Sequence, residues 1–135
     1  MSGYSKTPLA KKLGIKAKDK IKLINEPEHY FDLFTDLPED LSFAPTKHKK
    51  NLIHFFTTRS DELIRILPQL KNEIVPNGII WVSWPKKAAK TVTDVNENMI
   101  RDVAIKNSLV DVKVCAVDDT WSGLKLVIPL KDRKI

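Results

Sequence analysis

Two tryptophans with charged neighbours are the residues best suited to ligand binding in this sequence. Trp84 is followed closely by two lysines, and Trp121 follows two aspartates. An aromatic plane can stack on a flat ligand, and charges beside it can orient that ligand. The alternative is that Trp84 and Trp121 pack on each other while the lysines stay in water. The candidate binding residues are Trp84, Lys86, Lys87, Arg59, Asp118, Asp119, Trp121 and Ser122.

The histidines and the cysteine do not match known catalytic or metal-binding patterns. His29, His48 and His54 lack the spacing of metal ligands, so each is interpreted as a satisfied core or surface histidine, and no metal site is predicted. Cys115 is the only cysteine, which excludes an intramolecular disulfide. It lies in an alternating strand pattern and is interpreted as a small buried hydrophobe. No catalytic residue is assigned.

The loop after the first predicted strand lacks the residues of a nucleotide site. Dinucleotide and methyl-donor sites need glycines there, together with a free helix amino terminus that attracts negative charge. Residues 25–28 read Asn-Glu-Pro-Glu, so glycine is absent and two carboxylates stand where an anion would bind. Residues 41–44 also lack an acidic side chain to hold a ribose. We therefore expect no cofactor, and no binding of S-adenosylmethionine.

The first 22 residues carry the whole excess of positive charge. They hold seven lysines and one acidic residue, Asp19, whereas 16 basic and 16 acidic side chains balance in the rest of a chain of net charge +6. Such a run is usually a solvated surface. The alternative is sequence-independent binding to the phosphates of RNA or DNA. The candidates for that role are Lys6, Lys11, Lys12, Lys16, Lys18 and Lys20.

The candidate residues follow apolar runs that alternate with helical stripes. Strands are predicted at residues 21–24, 41–44, 51–57, 79–84, 110–117 and 124–130, and a turn at residues 76–78. Helices are predicted at residues 8–13, at residues 30–37, after a cap at Thr58 or Ser60, and from a cap at Thr93 or Asp94 to about Asn107.

This order of elements implies parallel pairing, closed by an antiparallel hairpin. The predicted fold class is α/β, a three-layer Rossmann-like open sheet that is mostly parallel and ends in a C-terminal antiparallel hairpin. Residues 1–20 are a basic segment that packs on or precedes the domain, and residues 21–135 form a single Rossmann-like domain. Ligands bind such sheets beyond the carboxyl ends of the strands, where the two tryptophans are expected to lie.

Long stretches of the chain resemble a bacterial family known as domain of unknown function 3052. They are Gly3-Tyr4-Ser5 with residues 7–15, residues 81–87 (Trp-Val-Ser-Trp-Pro-Lys-Lys) and residues 109–124. The family name implies no activity, and this chain has residues 25–28 where family members have a glycine-containing loop. More distantly, the order of elements from Ser60 onward resembles the second half of class I methyltransferases.

These observations favour a non-catalytic domain that binds a small ligand or a protein partner through the carboxyl edge of its sheet. An enzyme of unrecognised type at the same edge is the first alternative, and nucleic-acid binding by the leading lysines is the second. No apolar run approaches the roughly 20 residues of a membrane span, and the amino terminus lacks the apolar stretch of a secretory signal. We expect a cytoplasmic protein without membrane contact that is a monomer or a weak homodimer.

Overall fold

The computed structural model describes residues 7–43 and 47–133, which contain one five-stranded sheet with helices on both faces. The strands are β1 (Ile21–Ile24), β2 (Lys50–Phe56), β3 (Ile74–Pro85), β4 (Val110–Ala116) and β5 (Trp121–Val127). The α-helices are α1 (Leu9–Leu13), α2 (Ser60–Lys71) and α3 (Glu97–Lys106), and 3₁₀ turns cover Tyr30–Leu33, Lys87–Ala89 and Leu130–Asp132.

The sheet order is β1-β2-β3-β5-β4. β1, β2 and β3 are parallel, whereas β5 is antiparallel to both β3 and β4. The predicted three-layer α/β sheet with a terminal hairpin is confirmed. The prediction that it is mostly parallel is only partly right, because β5 inserts between β3 and β4 and makes two of the four described pairings antiparallel. β1 to β4 still end at one edge, called here the carboxyl rim.

The apolar side chains of the sheet supply two cores, one on each face. On the face covered by α2 and α3, the buried residues Ile53, Phe55 and Val82 meet the helix stripes. On the face covered by α1, Leu13 and Ile15 meet Leu52 and Trp81. The indole Nε1 of Trp81 donates to the carbonyl of Leu13 at 2.8 Å, so part of the lysine-rich leading segment is fixed onto the sheet.

The short predicted helix at residues 8–13 exists, and Gly14 ends it as expected. Gly14 adopts φ 83°, a left-handed conformation that glycine takes without a steric penalty. Its amide donates to the carbonyls of Ala10 and Lys11, which closes the helix end.

Apart from shifted strand bounds, such as β5 at Trp121–Val127 in place of residues 124–130, three predicted elements differ from the structure. The helix expected at residues 30–37 is only the 3₁₀ turn Tyr30–Leu33, in which Tyr30 is buried and Phe31 and Phe34 pack edge-on against its ring. Residues 41–43 do not form the strand expected at residues 41–44, since only Ser42 makes an isolated bridge, to Lys20. Ala44 lies outside the described residues.

The turn expected at residues 76–78 lies inside β3 as an irregularity of the strand. Lys50 pairs with Ile74 and Leu52 pairs with Ile79, so β3 carries extra residues between these two pairs. A Cβ on Gly78 would lie 2.8 Å from the Cβ of Ile74, which explains why glycine occupies this position.

A buried chain of hydrogen bonds crosses the α1 face of the sheet. The Tyr30 hydroxyl lies 3.0 Å from Nδ1 of His54, and Nε2 of His54 lies 2.7 Å from Oγ of Ser83. His54 and Ser83 are fully buried, and the imidazole stacks on Phe56 at 4.2 Å. His54 is therefore a satisfied core histidine, as the sequence indicated. Because buried polar groups are costly when unpaired, these hydrogen bonds fix how the Tyr30 segment packs on the sheet.

We expect His54 to make stability depend on pH. Burial lowers the pKa of His54 to about 3, whereas a histidine in the unfolded chain has a pKa near 6.5. Between those pH values the unfolded chain binds a proton that the folded protein does not. The free energy of unfolding therefore has its full value above pH 6.5 and decreases as the pH is lowered toward 3. The maximum slope is about 1.4 kcal/mol per pH unit, measurable by urea unfolding between pH 7 and pH 5.

His54→Gln should reduce this loss between pH 7 and pH 5, whereas His48→Gln, at an exposed position, should leave it unchanged. An NMR titration that finds His54 protonating near pH 6.5 in the folded protein would contradict the expectation.

Candidate functional site: a groove at the carboxyl rim

The loops that carry the candidate residues meet at the carboxyl rim. The side-chain amide of Asn25 donates to the carbonyl of Phe56 at 3.1 Å, which joins the ends of β1 and β2. The amide of Thr57 donates to Ser83 at 3.0 Å, and the amide of Lys86 donates to Thr120 at 2.8 Å. The rim is therefore continuous from β1 to the β4–β5 hairpin, as the predicted topology required.

The two tryptophans lie on this rim but on opposite faces of the sheet. Trp84 pairs across the strands with Ser122, and Trp121 pairs with Pro85. Because neighbouring residues of a strand point to opposite faces, the indoles diverge. Trp84 packs in the α2/α3 core, and Trp121 packs edge-on against Phe56 at 5.0 Å. The interpretation that Trp84 and Trp121 pack on each other is therefore wrong, and the two indoles do not share one face of the sheet.

A groove opens on the α2/α3 side of the rim, between the end of β3 and the start of α3. Its volume is about 730 Å³. The eleven-residue connection between β3 and α3 forms most of it, and this is longer than the two to six residues usual for such loops. The lining residues are Trp84, Pro85, Lys86, Lys87, Thr91, Thr93, Asp94, Val95, Asn96, Glu97 and Asn98. This groove thus gathers three sequence candidates, Trp84, Lys86 and Lys87.

A carboxylate fixes one wall of the groove. Asp94 accepts hydrogen bonds from the amide of Ser60 at 2.7 Å and from its hydroxyl at 2.5 Å. Thr93 donates from Oγ1 to the carbonyl of Thr58 at 2.8 Å. These bonds tie the β3–α3 connection to the amino terminus of α2.

The same bonds correct the predicted helix caps. α2 does begin at Ser60, but neither Thr58 nor Ser60 caps it, and Asp94 accepts the hydrogen bond from the Ser60 amide instead. Thr93 and Asp94 do not cap α3. That helix is capped by Asn96, whose side-chain oxygen accepts from the amide of Met99 at 2.9 Å. The end of α3 near Asn107 is as predicted.

The acidic groups of the groove already have partners. The hydrogen bonds from Ser60 lower the pKa of Asp94, so this carboxylate is ionised and engaged at neutral pH. Glu97 pairs with Arg101, which also reaches Asp111 at 3.0 Å. Within the described ranges no carboxylate forms a salt bridge with Lys87, which is exposed beside the amino terminus of α3. The groove therefore offers positive charge to a ligand.

The remaining candidates do not join the groove lysines. Asp118 accepts from the amides of Thr120 and Trp121 and contacts Nε2 of His29 at 2.9 Å, so it holds the hairpin turn. Arg59 pairs with Asp61 in solvent and lies in a shallower hollow of about 400 Å³ that shares Thr93 and Asp94 with the groove.

The last two candidates, Asp119 and Ser122, lie on the β4–β5 hairpin. Asp119 is exposed in its turn, and Ser122 lies on the groove side of the sheet, opposite Trp84. Sequence reasoning missed the groove residues Thr91, Asn96 and Glu97, and the length of the connection that carries them was the available signal.

The side chain of Asn25 closes the end of β1. Asn25 has φ 58°, and its amide reaches both the carbonyl of Phe56 and, at 3.2 Å, Oε1 of Glu62. The element that follows is the four-residue 3₁₀ turn, not a helix whose amino terminus could receive a phosphate. No trio of His, Cys, Asp or Glu within residues 7–43 and 47–133 could hold a metal ion.

The leading lysines spread over the α1 side of the sheet. Nζ of Lys12 donates to the carbonyl of Ala116 at 2.9 Å, whereas Lys11, Lys16, Lys18 and Lys20 are exposed. Lys6 lies outside the described residues. None of the described helices is both long and apolar enough to cross a membrane.

Solved methyltransferase structures share this fold. A ribosomal protein L11 methylase from Lactobacillus delbrueckii subsp. bulgaricus aligns with a TM-score of 0.53 and 12% identity, over 82% of this chain and 69% of that chain. A Burkholderia thailandensis 1,6-didemethyltoxoflavin-N1-methyltransferase with bound S-adenosylhomocysteine aligns with a TM-score of 0.55 and 10% identity, over 87% and 73%. An O-methyltransferase from neocarzinostatin biosynthesis, in complex with S-adenosylmethionine, aligns with a TM-score of 0.57 and 10% identity, over 95% and 51%.

At these identities the likeness establishes the fold alone, and this chain spans only about half the length of the O-methyltransferase. No protein-family model and no curated protein matches the sequence, so the resemblance to domain of unknown function 3052 gains no support. The distant resemblance to class I methyltransferases is supported as a resemblance of fold.

We expect no binding of S-adenosylmethionine by the full chain. The side chain of Asn25 occupies the end of β1, and Glu26 and Glu28 add negative charge beside it. Isothermal titration calorimetry with S-adenosylmethionine should give no saturable heat. Saturation at micromolar concentration would contradict this expectation.

Proposed function

We propose that this chain binds a small anionic molecule in the groove between β3 and α3. The observation that carries the proposal is a concave site at the carboxyl rim in which Asp94 is hydrogen-bonded to Ser60, Glu97 is paired with Arg101, and Lys87 is exposed. Open α/β sheets bind ligands at this edge, because the strand ends and helix amino termini converge there. Of the expected small-ligand and protein-binding roles, we therefore favour a small ligand with a negative charge, bound in the groove.

The walls of the groove indicate what such a ligand contains. Trp84 and Pro85 supply an apolar wall, while Thr91 and Lys87 supply a hydroxyl and an ammonium group. A ligand with an apolar body and a carboxylate or phosphate matches this set, since specificity in small-molecule sites comes from a few polar groups on an apolar lining. Asp94 disfavours an anionic group close to Ser60, so the anionic group of the ligand belongs beside Lys87.

Methylation is the second candidate function. It is favoured by the structural neighbours, which are methyltransferases, two of them with S-adenosylmethionine or S-adenosylhomocysteine bound. Against it stand the closed end of β1 and the lack of an assigned catalytic residue. A protein partner at the same groove is a further alternative, and the charge test below separates it from a small anion.

Charge reversal at Lys87 tests the proposal. Adenosine 5′-monophosphate and salicylate serve as anionic probes, and adenosine and salicylamide are their neutral counterparts. We expect each anion to bind more tightly than its counterpart, and Lys87→Glu to weaken anion binding about fivefold, which is the effect of losing one surface charge contact. Calorimetry or ligand-observed NMR measures both affinities.

Lys106→Glu is the matched control, because it makes the same charge change at the far end of α3. It should leave the affinity unchanged. Equal affinity for anionic and neutral probes, or an equal loss in both variants, would refute an anion site in the groove.

A further inference from the structure

Two lysines face each other directly in the β4–β5 hairpin. Lys113 is the cross-strand partner of Lys125, which on its other side is the partner of Trp81. Both lysines therefore lie on the α1 face of the sheet, opposite the groove. Like charges placed directly across an antiparallel pair destabilise it. The hairpin thus keeps a repulsive pair where an opposite charge would favour folding.

α1 and the segment after it bring further lysines to this pair. Nζ of Lys12 donates to the carbonyl of Ala116 in β4 at 2.9 Å. Partial burial lowers the pKa of Lys125, and the positive charges of Lys113 and Lys16 lower it further. The charges of Lys12 and Lys113 also lower the pKa of Cys115, against the larger effect of its burial, which raises it. These four residues, Lys12, Lys16, Lys113 and Lys125, are called here the basic patch.

The basic patch has an acidic residue beside it, Asp19, whose carboxylate accepts from the backbone amide of Lys16 at 2.9 Å. Within the described part of the chain, the salt bridges involve other residues and none includes a member of the patch. One half of the patch comes from the leading segment and the other half from the hairpin, so the tertiary structure adds two hairpin lysines to the lysine-rich leading segment.

We propose that the basic patch binds the phosphate backbone of a nucleic acid. Ammonium groups on flexible stems contact phosphates as point charges and need no shaped pocket. A protein partner is less suited, because interface anchors are mostly Trp, Tyr or Arg, and the patch contains only lysines. This site is independent of the groove, since the two lie on opposite faces of the sheet.

Lys125→Glu separates binding from folding. The change replaces a repulsive pair with an attractive one, so the melting temperature should stay the same or rise while affinity for RNA falls. The probe is a fluorescein-labelled uridine homopolymer of about 20 nucleotides, followed by anisotropy at about 50 and about 200 mM salt. We expect wild-type affinity to fall as salt rises, and the variant to bind about tenfold more weakly at low salt with a salt slope smaller by roughly 0.7.

Lys131→Glu makes the same change of charge in an exposed position outside the patch and should bind like the wild type. Lys113→Glu should reproduce the loss seen with Lys125→Glu. Three results would each overturn the proposal: no salt-dependent RNA binding by the wild type, an equal loss in Lys131→Glu, or complete displacement of RNA by an equal charge concentration of polyglutamate.

Discussion

The carboxylate of Asp94 is the constraint on which the shape and charge of the rim depend. Its two hydrogen bonds from Ser60 close the amino terminus of α2 and fix the long β3–α3 connection in the same step. The groove therefore has a rigid wall although it is built from a loop. Asp94 keeps its negative charge on the wall beside Ser60, so the positive field in the groove comes from the exposed Lys87 and the start of α3.

The sheet separates the two proposed sites, because neighbouring residues of its strands point to opposite faces. It places Trp84 with the groove on the α2/α3 side and Trp121 with Phe56 and the buried histidine on the α1 side. On that second side the hydrogen bonds of His54 fix the aromatic segment after β1, and α1 adds its lysines to the hairpin. A small anion and a nucleic acid would thus meet separate surfaces of one sheet.

The sequence predicts those features that depend on local pattern. Apolar runs located β2 and β3, and Gly14 located the end of α1, because burial and backbone freedom are properties of single stretches. It could not predict contacts made across the fold. Ser60 alone gives no sign that its partner is Asp94, the bulge near Gly78 has the residues of a turn, and the faces of Trp84 and Trp121 depend on the register of β5. The candidate residues accordingly lie at one edge of the sheet but on both of its faces.

The most direct test of the groove is an amide NMR titration of the isotope-labelled full chain with adenosine 5′-monophosphate. We expect the largest chemical-shift changes in residues 86–98, which line the groove and are held in place by Asp94. Changes concentrated in residues 25–29 at the end of β1, or no saturable change anywhere, would contradict it.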